Sequence, residues 1–340
     1  MPKKMVCLVA TLWVLSLSST FAGAAQSSFE GKTVRIIVGF SAGGGFDVYS
    51  RTIARHLAKH IPGGPSVIVE NMAGAGSLIA ANYMYKVAKP DGLTIGNFHG
   101  YQILNQVIEQ QGIEFDARRF EWIGVPVQDN GACALTSASG ISSLEKWKEA
   151  KTPVKLGGVG PGDAAYNSAK ILKDVLKLPI QVIMGYKGTA DIKLAAENGE
   201  IAGGCWQWES FKVMWRQALN AGTVSVVLQL TPKPHPELPN VPLALSLAKT
   251  EEARALLKVA IHDANAITRP YSLPPKTPKD SVGILRKAFM DTMKDPDFLA
   301  EARKSKLDLD PLSGEEVENL VRGFFKIEPP LVKRLKEIIK

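Results

Sequence analysis

Cysteine, histidine and aromatic residues are all scarce in this chain. Its 340 residues contain Cys7, Cys133 and Cys205, five histidines, and 7% aromatics. So few cysteines exclude a disulfide-dense scaffold, and a chain this long buries enough apolar surface to fold without staples. His56, His60, His99, His235 and His262 are not joined by cysteines or paired carboxylates at ligand spacing, so no metal centre is expected. His56 and His60 lie one helical turn apart, but Leu57 occupies the position that HExxH reserves for glutamate. A solvated helix face accounts for the pair. No block of Lys and Arg interleaves with aromatics, which argues against a nucleic-acid partner. Beyond the first 25 residues no apolar run reaches the roughly 20 residues that a membrane span needs.

What the chain does have begins at its first residues. Lys3 and Lys4 precede an apolar run from Val6 to Leu17, and small residues follow at Ala22, Gly23, Ala24 and Ala25. Charge, short apolar core and small-residue end, in that order, describe a secretory signal peptide cleaved near Ala24 or Ala25. The reading places the mature protein in the periplasm, with about 315 residues, room for two domains. Cleavage removes two lysines from a formal net charge of +8, leaving a moderately basic surface suited to an anionic ligand. In an oxidising compartment Cys133 and Cys205 could pair. Two inert buried thiols are the expected state, because a core of this size needs no staple.

Apolar strand-like runs alternate with amphipathic segments, the pattern of an α/β fold. Val34–Phe40, Ser66–Glu70 and Leu93–Phe98 read as strands, with helices over Val48–His60 and Leu78–Ala88. A second set has strands at Val154–Val159, Ile180–Met184, from Ile201, and at Val224–Leu230, with helices over Ala164–Leu178 and Thr189–Asn198. A proline-rich connection (232–242) leads into a mainly helical tail.

Four glycine-containing turns run from a strand into a helix: Phe40–Asp47, Glu70–Ser77, Gly157–Asp163 and Gly185–Asp191. Glycine lets the backbone turn tightly and bare its amides. A helix start adds unpaired N–H groups and a positive dipole end, so each turn is a possible anion cradle without Lys or Arg. Such turns lie at the carboxyl edges of strands, where open α/β sheets bind ligands. Three lookalikes compete. A dinucleotide fingerprint fails at Val48, and a P-loop ahead of Gly31-Lys32-Thr33 fails at Gln26. Gly39-Phe40-Ser41-Ala42-Gly43 does satisfy the G-x-S-x-G elbow, which keeps a secreted serine hydrolase built on Ser41 as the alternative reading. No cofactor motif survives.

At these same residues the chain resembles the Bug-type extracytoplasmic receptors of tripartite tricarboxylate transporters. The matching elements are Phe40-x-Ala42-Gly43-Gly44-x-x-Asp47 with Arg51, Glu70 to Gly76, Pro90 to Thr94, Gly160 to Asp163, and Tyr186 to Thr189. The resemblance implies a type II periplasmic-binding fold, two doubly wound α/β lobes with the ligand cleft between them. On that pattern residues 1–25 are the signal peptide, 26–125 plus 231–340 the first lobe, and 126–230 the second. It implies no enzyme activity, a small organic carboxylate as ligand, and integral membrane transporter subunits as partners. Phe40, Ala42, Gly44 and Asp47 from one lobe and Gly162, Asp163 and Thr189 from the other would hold the ligand, mostly through backbone amides. Two departures stand out. Asp163 replaces a usual serine, and Cys205-Trp206-Gln207-Trp208 replaces a more polar stretch. Trp206 and Trp208 suggest an aromatic wall and an aromatic or longer carboxylate.

Overall fold

The computed structural model describes residues 29–339. The signal-peptide reading and its cleavage site therefore lie outside the described residues. The first lobe begins with β1 (Thr33–Val38), α1 (Gly45–Leu57), β2 (Ser66–Asn71), α2 (Leu78–Lys86), β3 (Thr94–Asn97), α3 (Tyr101–Val107) and β4 (Glu121–Val125). The second holds β5 (Gly131–Thr136), α4 (Leu144–Lys148), β6 (Val154–Gly158), α5 (Ala164–Val175), β7 (Ile180–Met184) and α6 (Thr189–Glu197). It continues through β8 (Gly203–Gln207), α7 (Trp208–Met214), α8 (Arg216–Asn220) and β9 (Val224–Leu230). The remainder is α9 (Ala244–Leu247), α10 (Glu251–Leu257), a π-helical turn (Lys258–Asp263), α11 (Ala264–Ala266), β10 (Tyr271–Leu273), α12 (Lys279–Thr292), α13 (Pro296–Ser305), β11 (Leu312–Ser313), α14 (Gly314–Phe324) and α15 (Pro329–Ile339).

Two sheets result, in the orders β11-β4-β10-β3-β1-β2 and β7-β6-β8-β5-β9. In the first, β1 pairs in parallel with β2 and β3, and β10 runs antiparallel between β3 and β4. In the second, β6 pairs in parallel with β7 and β8, and β5 runs antiparallel between β8 and β9. Each sheet thus contains three parallel strands beside one antiparallel strand delivered from the other lobe's side. This is the type II periplasmic-binding arrangement. Near-continuous apolar runs such as Val34, Ile36, Ile37 and Val38 are buried because helices cover both faces of the parallel strands.

The chain crosses between sheets through residues 126–130 and returns through 267–270. Asp129 on the first crossover pairs with Arg269 on the second at 2.9 Å, both side chains fully buried. Arg269 also stacks over Phe46 and Tyr49, at 4.9 and 4.7 Å from their ring centres. A guanidinium taken out of water needs a counter-charge and hydrogen bonds, and this one gains Asp129 and Ser210 Oγ.

The tail serves both lobes. α12 and α13 pack on α1, and α14 packs on β4, whereas α10 and α15 lie against α5 of the second lobe. Tyr166 donates to the Ile339 carbonyl and Arg334 pairs with Asp174, fixing the last helix there. Helices of the 231–340 tail thus contact both bodies.

Cys133 and Cys205 form a disulfide. The expectation of two free thiols is corrected by register, because β5 and β8 are antiparallel neighbours that place the two residues directly opposite each other. Trp206 is also reassigned. Its ring stacks on Phe211 at 4.0 Å and meets Trp215 edge-on, inside the second lobe's core. Trp208 Nε1 donates to Glu237 beside Lys212. Trp206 therefore does not form the expected aromatic wall.

Candidate functional site

The glycine turns after β1 and β2 meet, across the space between the sheets, those after β7 and β6 respectively. The Ser41 N–H donates to the Lys187 carbonyl at 3.1 Å, a backbone bond from one lobe to the other. A Cβ on Gly44 would stand 3.3 Å from Thr189 Oγ1, and one on Gly188 would stand 2.6 Å from Ser41 Oγ. A second contact zone joins the turn at Gly76 to the one at Pro161–Asp163, where a Cβ on Gly76 would lie 2.9 Å from the Pro161 carbonyl. At Gly76, with φ of 61°, glycine is required because backbone approaches backbone, whereas at Gly44 and Gly188 the facing atoms are the Thr189 and Ser41 hydroxyls.

Of the residues expected to hold a ligand, Gly44 and Thr189 sit together at the first zone, with Ala42 exposed beside them. Phe40 is buried behind, its ring 4.5 Å from Phe46 and 5.9 Å from His99. Gly162 and Asp163 belong to the second zone. α1 starts at Gly44 and α6 at Gly188, and no side chain caps either helix. Two helix starts without a side-chain N-cap therefore converge from opposite lobes. Asp47 and Asp191 in their first turns take the Gly43 and Lys187 N–H groups and supply part of the negative charge that the dipoles favour.

The two acidic residues behave differently from a ligand-facing carboxylate. Asp47 accepts from the Gly43 N–H at 2.8 Å, from Arg51 Nε at 2.9 Å and from Asn71 Nδ2 at 2.9 Å. Burial alone would raise its pKa, but Arg51, the Gly43 N–H and Asn71 together hold it below the ordinary aspartate value. Its carboxylate shapes the first turn from behind. Asp163 is the N-cap of α5, accepting from Val159, Ala165 and Tyr166 N–H groups at 2.9, 3.2 and 3.0 Å. Burial pushes its carboxyl above the ordinary aspartate range, against those backbone donors. It occupies the α5 helix start that an anion would otherwise use.

Between the zones lies a buried polar set that motif reading did not pick out. Gln102 Nε2 donates to the Gly76 carbonyl at 2.6 Å, and Asn105 Nδ2 to Gln102 Oε1 at 3.3 Å. The Gly162 N–H donates to Asn167 Oδ1 at 3.3 Å. His99 takes the Tyr101 N–H on Nδ1 and faces Gln207 Nε2 at 3.5 Å. Burial, aided by the Arg269 charge, pushes the His99 imidazole well below its ordinary pKa, so it is neutral. Gln102 and Asn105 are three apart on α3, a same-face spacing just after a strand end, which was the available signal.

Ser41 lacks the setting of a nucleophile. Its hydroxyl is buried with no hydrogen-bond partner, so no histidine stands as its base. Ser41 also keeps a negative φ, unlike the strained elbow of the hydrolase motif. Among the described residues no His/Cys/Asp/Glu group could hold a metal ion, and no helix is long and apolar enough to cross a membrane.

Sheet order, paired crossovers and a cleft closed by facing helix starts define a two-lobed periplasmic binding protein fold. The solved structures agree. The periplasmic binding protein BugD superimposes with a TM-score of 0.73 at 21% identity, covering 91% of this chain and 98% of that one. MatC from Rhodopseudomonas palustris with bound malate gives 0.71 at 20% identity, covering 92% and 100%. R. palustris Rpa4515 with adipate gives 0.69 at 19%, covering 91% and 98%. No family model matches the chain. A UPF0065 protein of Cupriavidus necator is 35% identical over 88 residues, 26% of either chain. Another from Agrobacterium vitis is 29% identical over 191 residues, covering 54% of this chain and 53% of that one. The match thus spans about a quarter to a half of those relatives' length. Sequence and fold together bear out the resemblance to the Bug-type, TctC-like binding proteins read from the motifs.

Proposed function

We propose that this protein is an exported receptor that closes its two lobes on a small organic carboxylate and delivers it to an integral membrane transporter. The observation that carries the reading is the convergence of two helix starts without a side-chain N-cap, α1 at Gly44 and α6 at Gly188, from opposite lobes. Backbone amides there suit a carboxylate without any arginine or lysine, and lobe closure completes the grip. Ala42, Gly44 and Thr189 would present amides or a hydroxyl to the ligand. Phe40 would wall the site, and Asp47 would hold the turn in shape. The malate and adipate bound by two structural neighbours support a carboxylate as the ligand class. The permease partner and periplasmic location rest on the same kinship and on the N-terminal segment.

The test is a thermal-shift and calorimetric screen of the protein purified from the periplasm, against mono-, di- and aromatic carboxylates. At least one carboxylate is expected to raise the melting temperature and bind with one-to-one stoichiometry. If none does, the receptor reading falls. Esterase activity that Ser41→Ala abolishes would instead establish the hydrolase.

A further inference from the structure

Two amides at the second contact zone are left unpaired in a place where that is costly. Asn105 is 1% and Asn167 0% exposed, yet Asn105 Oδ1 and Asn167 Nδ2 have no hydrogen-bond partner. One is an acceptor and the other a donor. A buried polar atom left unmatched costs about 1–3 kcal/mol, so such atoms mark a missing partner. The two residues come from opposite lobes, α3 and α5, and Gly162 brings them together. Its N–H reaches Asn167 Oδ1, and a Cβ there would stand 2.2 Å from Asn105 Nδ2.

The charges around this pair are already committed. Asp163 is bonded to its own helix start, Asp47 to Arg51, and Arg269 to Asp129. Lys170, on the same helix as Asn167 but further from its start, lies over the Tyr166 ring. The groups that remain, Gln102, Asn105, Asn167, His99 and Gln207, are amides and one neutral imidazole. A carboxylate placed among them would be buried without a counter-ion, next to the Asp163 charge, which is strongly unfavourable. A carboxamide or hydroxyl, which both donates and accepts, suits one unmatched acceptor and one unmatched donor.

Resting on the carboxylate-receptor reading, we propose that the ligand is a monocarboxylate whose far end is a neutral carboxamide or hydroxyl, read by Asn105 and Asn167. The first carboxylate sits at the α1 and α6 helix starts. The paired asparagines then select against a second one.

The experiment is titration calorimetry on the exported protein with matched sets of four to six carbons. Each set holds a dicarboxylate, its monoamide, the ω-hydroxy acid and the plain monocarboxylate. A monoamide or hydroxy acid is expected to bind at least tenfold tighter than both the dicarboxylate and the plain acid of equal length. A dicarboxylate that binds tightest overturns this inference while leaving the carboxylate receptor intact. Binding by no member overturns both. Asn105→Leu and Asn167→Leu are expected to weaken the monoamide and the hydroxy acid at least tenfold more than the plain acid of equal length, which erases the preference. An equal loss for every ligand would deny these two residues the assigned role.

Discussion

At the residue scale, Asp163 is the clearest case of a side chain whose type was legible and whose direction was not. The sequence shows an acid where the motif resemblance implies a serine, and an acid beside an anion site reads as a conflict. The structure resolves it by turning the carboxylate onto three N–H groups of its own turn and helix. Direction depends on the φ/ψ of Gly160 to Gly162, which no periodicity encodes. The charge nevertheless remains at the edge of the cleft, opposing the dipole of α5. Asp163→Ser keeps a capping oxygen and removes that charge. Carboxylate affinity is expected to rise about 3- to 10-fold, the effect of about 1 kcal/mol at a helix start. Stability should fall by about 1–3 kcal/mol, because the single serine oxygen can cap α5 but leaves the buried Val159 N–H without its acceptor. Calorimetry with the ligand identified in the screen checks the first, and urea denaturation the second. Unchanged or weaker binding would mean that the Asp163 charge is not felt in the cleft.

At the scale of elements, the strands legible in the sequence were those that are locally apolar. Val34–Phe40 and Val224–Leu230 were recognisable because both of their faces are covered, as were the helices from Ala164 and Thr189 with their periodic stripes. β5 and β10 were not recognised. Tyr271–Leu273 is three residues long and Gly131–Thr136 opens on small residues (Gly-Ala-Cys-Ala), and both are strands because partners more than 60 residues away receive them. The sequence leaves the Cys133–Cys205 pairing open for the same reason, since its geometry comes from the β5–β8 register and not from their spacing. That register also gives the bridge a long loop, 72 residues in sequence separation. Replacing both cysteines by alanine is expected to lower the unfolding free energy by about 4 kcal/mol, by the chain-entropy account of long closed loops. Urea titration of the double variant measures it. A loss below 1 kcal/mol would show that the second sheet is already held by strand pairing and its Trp206–Phe211–Trp215 core.

At the scale of the whole molecule, function rests on two bodies joined by two crossovers and meeting at glycines. Asp129 and Arg269 tie the crossovers together, and the lobes meet at Ser41–Lys187 and Gly76–Pro161; on the proposed function the crossovers would be the hinge and these contacts the closing surface. A substitution confined to the closing contact should separate binding from folding. Gly188 offers it, because its φ of 166° is extended backbone open to any residue. Its missing Cβ matters only across the cleft, where it would stand 2.6 Å from Ser41 Oγ. Gly188→Val is therefore expected to leave the ligand-free melting temperature within about 2 °C of the parent, a stability change below about 1 kcal/mol. Carboxylate affinity should fall at least about 100-fold, or about 2.7 kcal/mol, because closure is sterically blocked. Small-angle scattering should show the parent contracting on ligand addition and the variant failing to contract. Gly160→Ala is the control, since its Cβ would meet nothing within 4 Å. If Gly188→Val bound ligand within threefold of the parent, the facing helix starts could not be the clamp, because a clamp held open by a valine cannot grip from both sides.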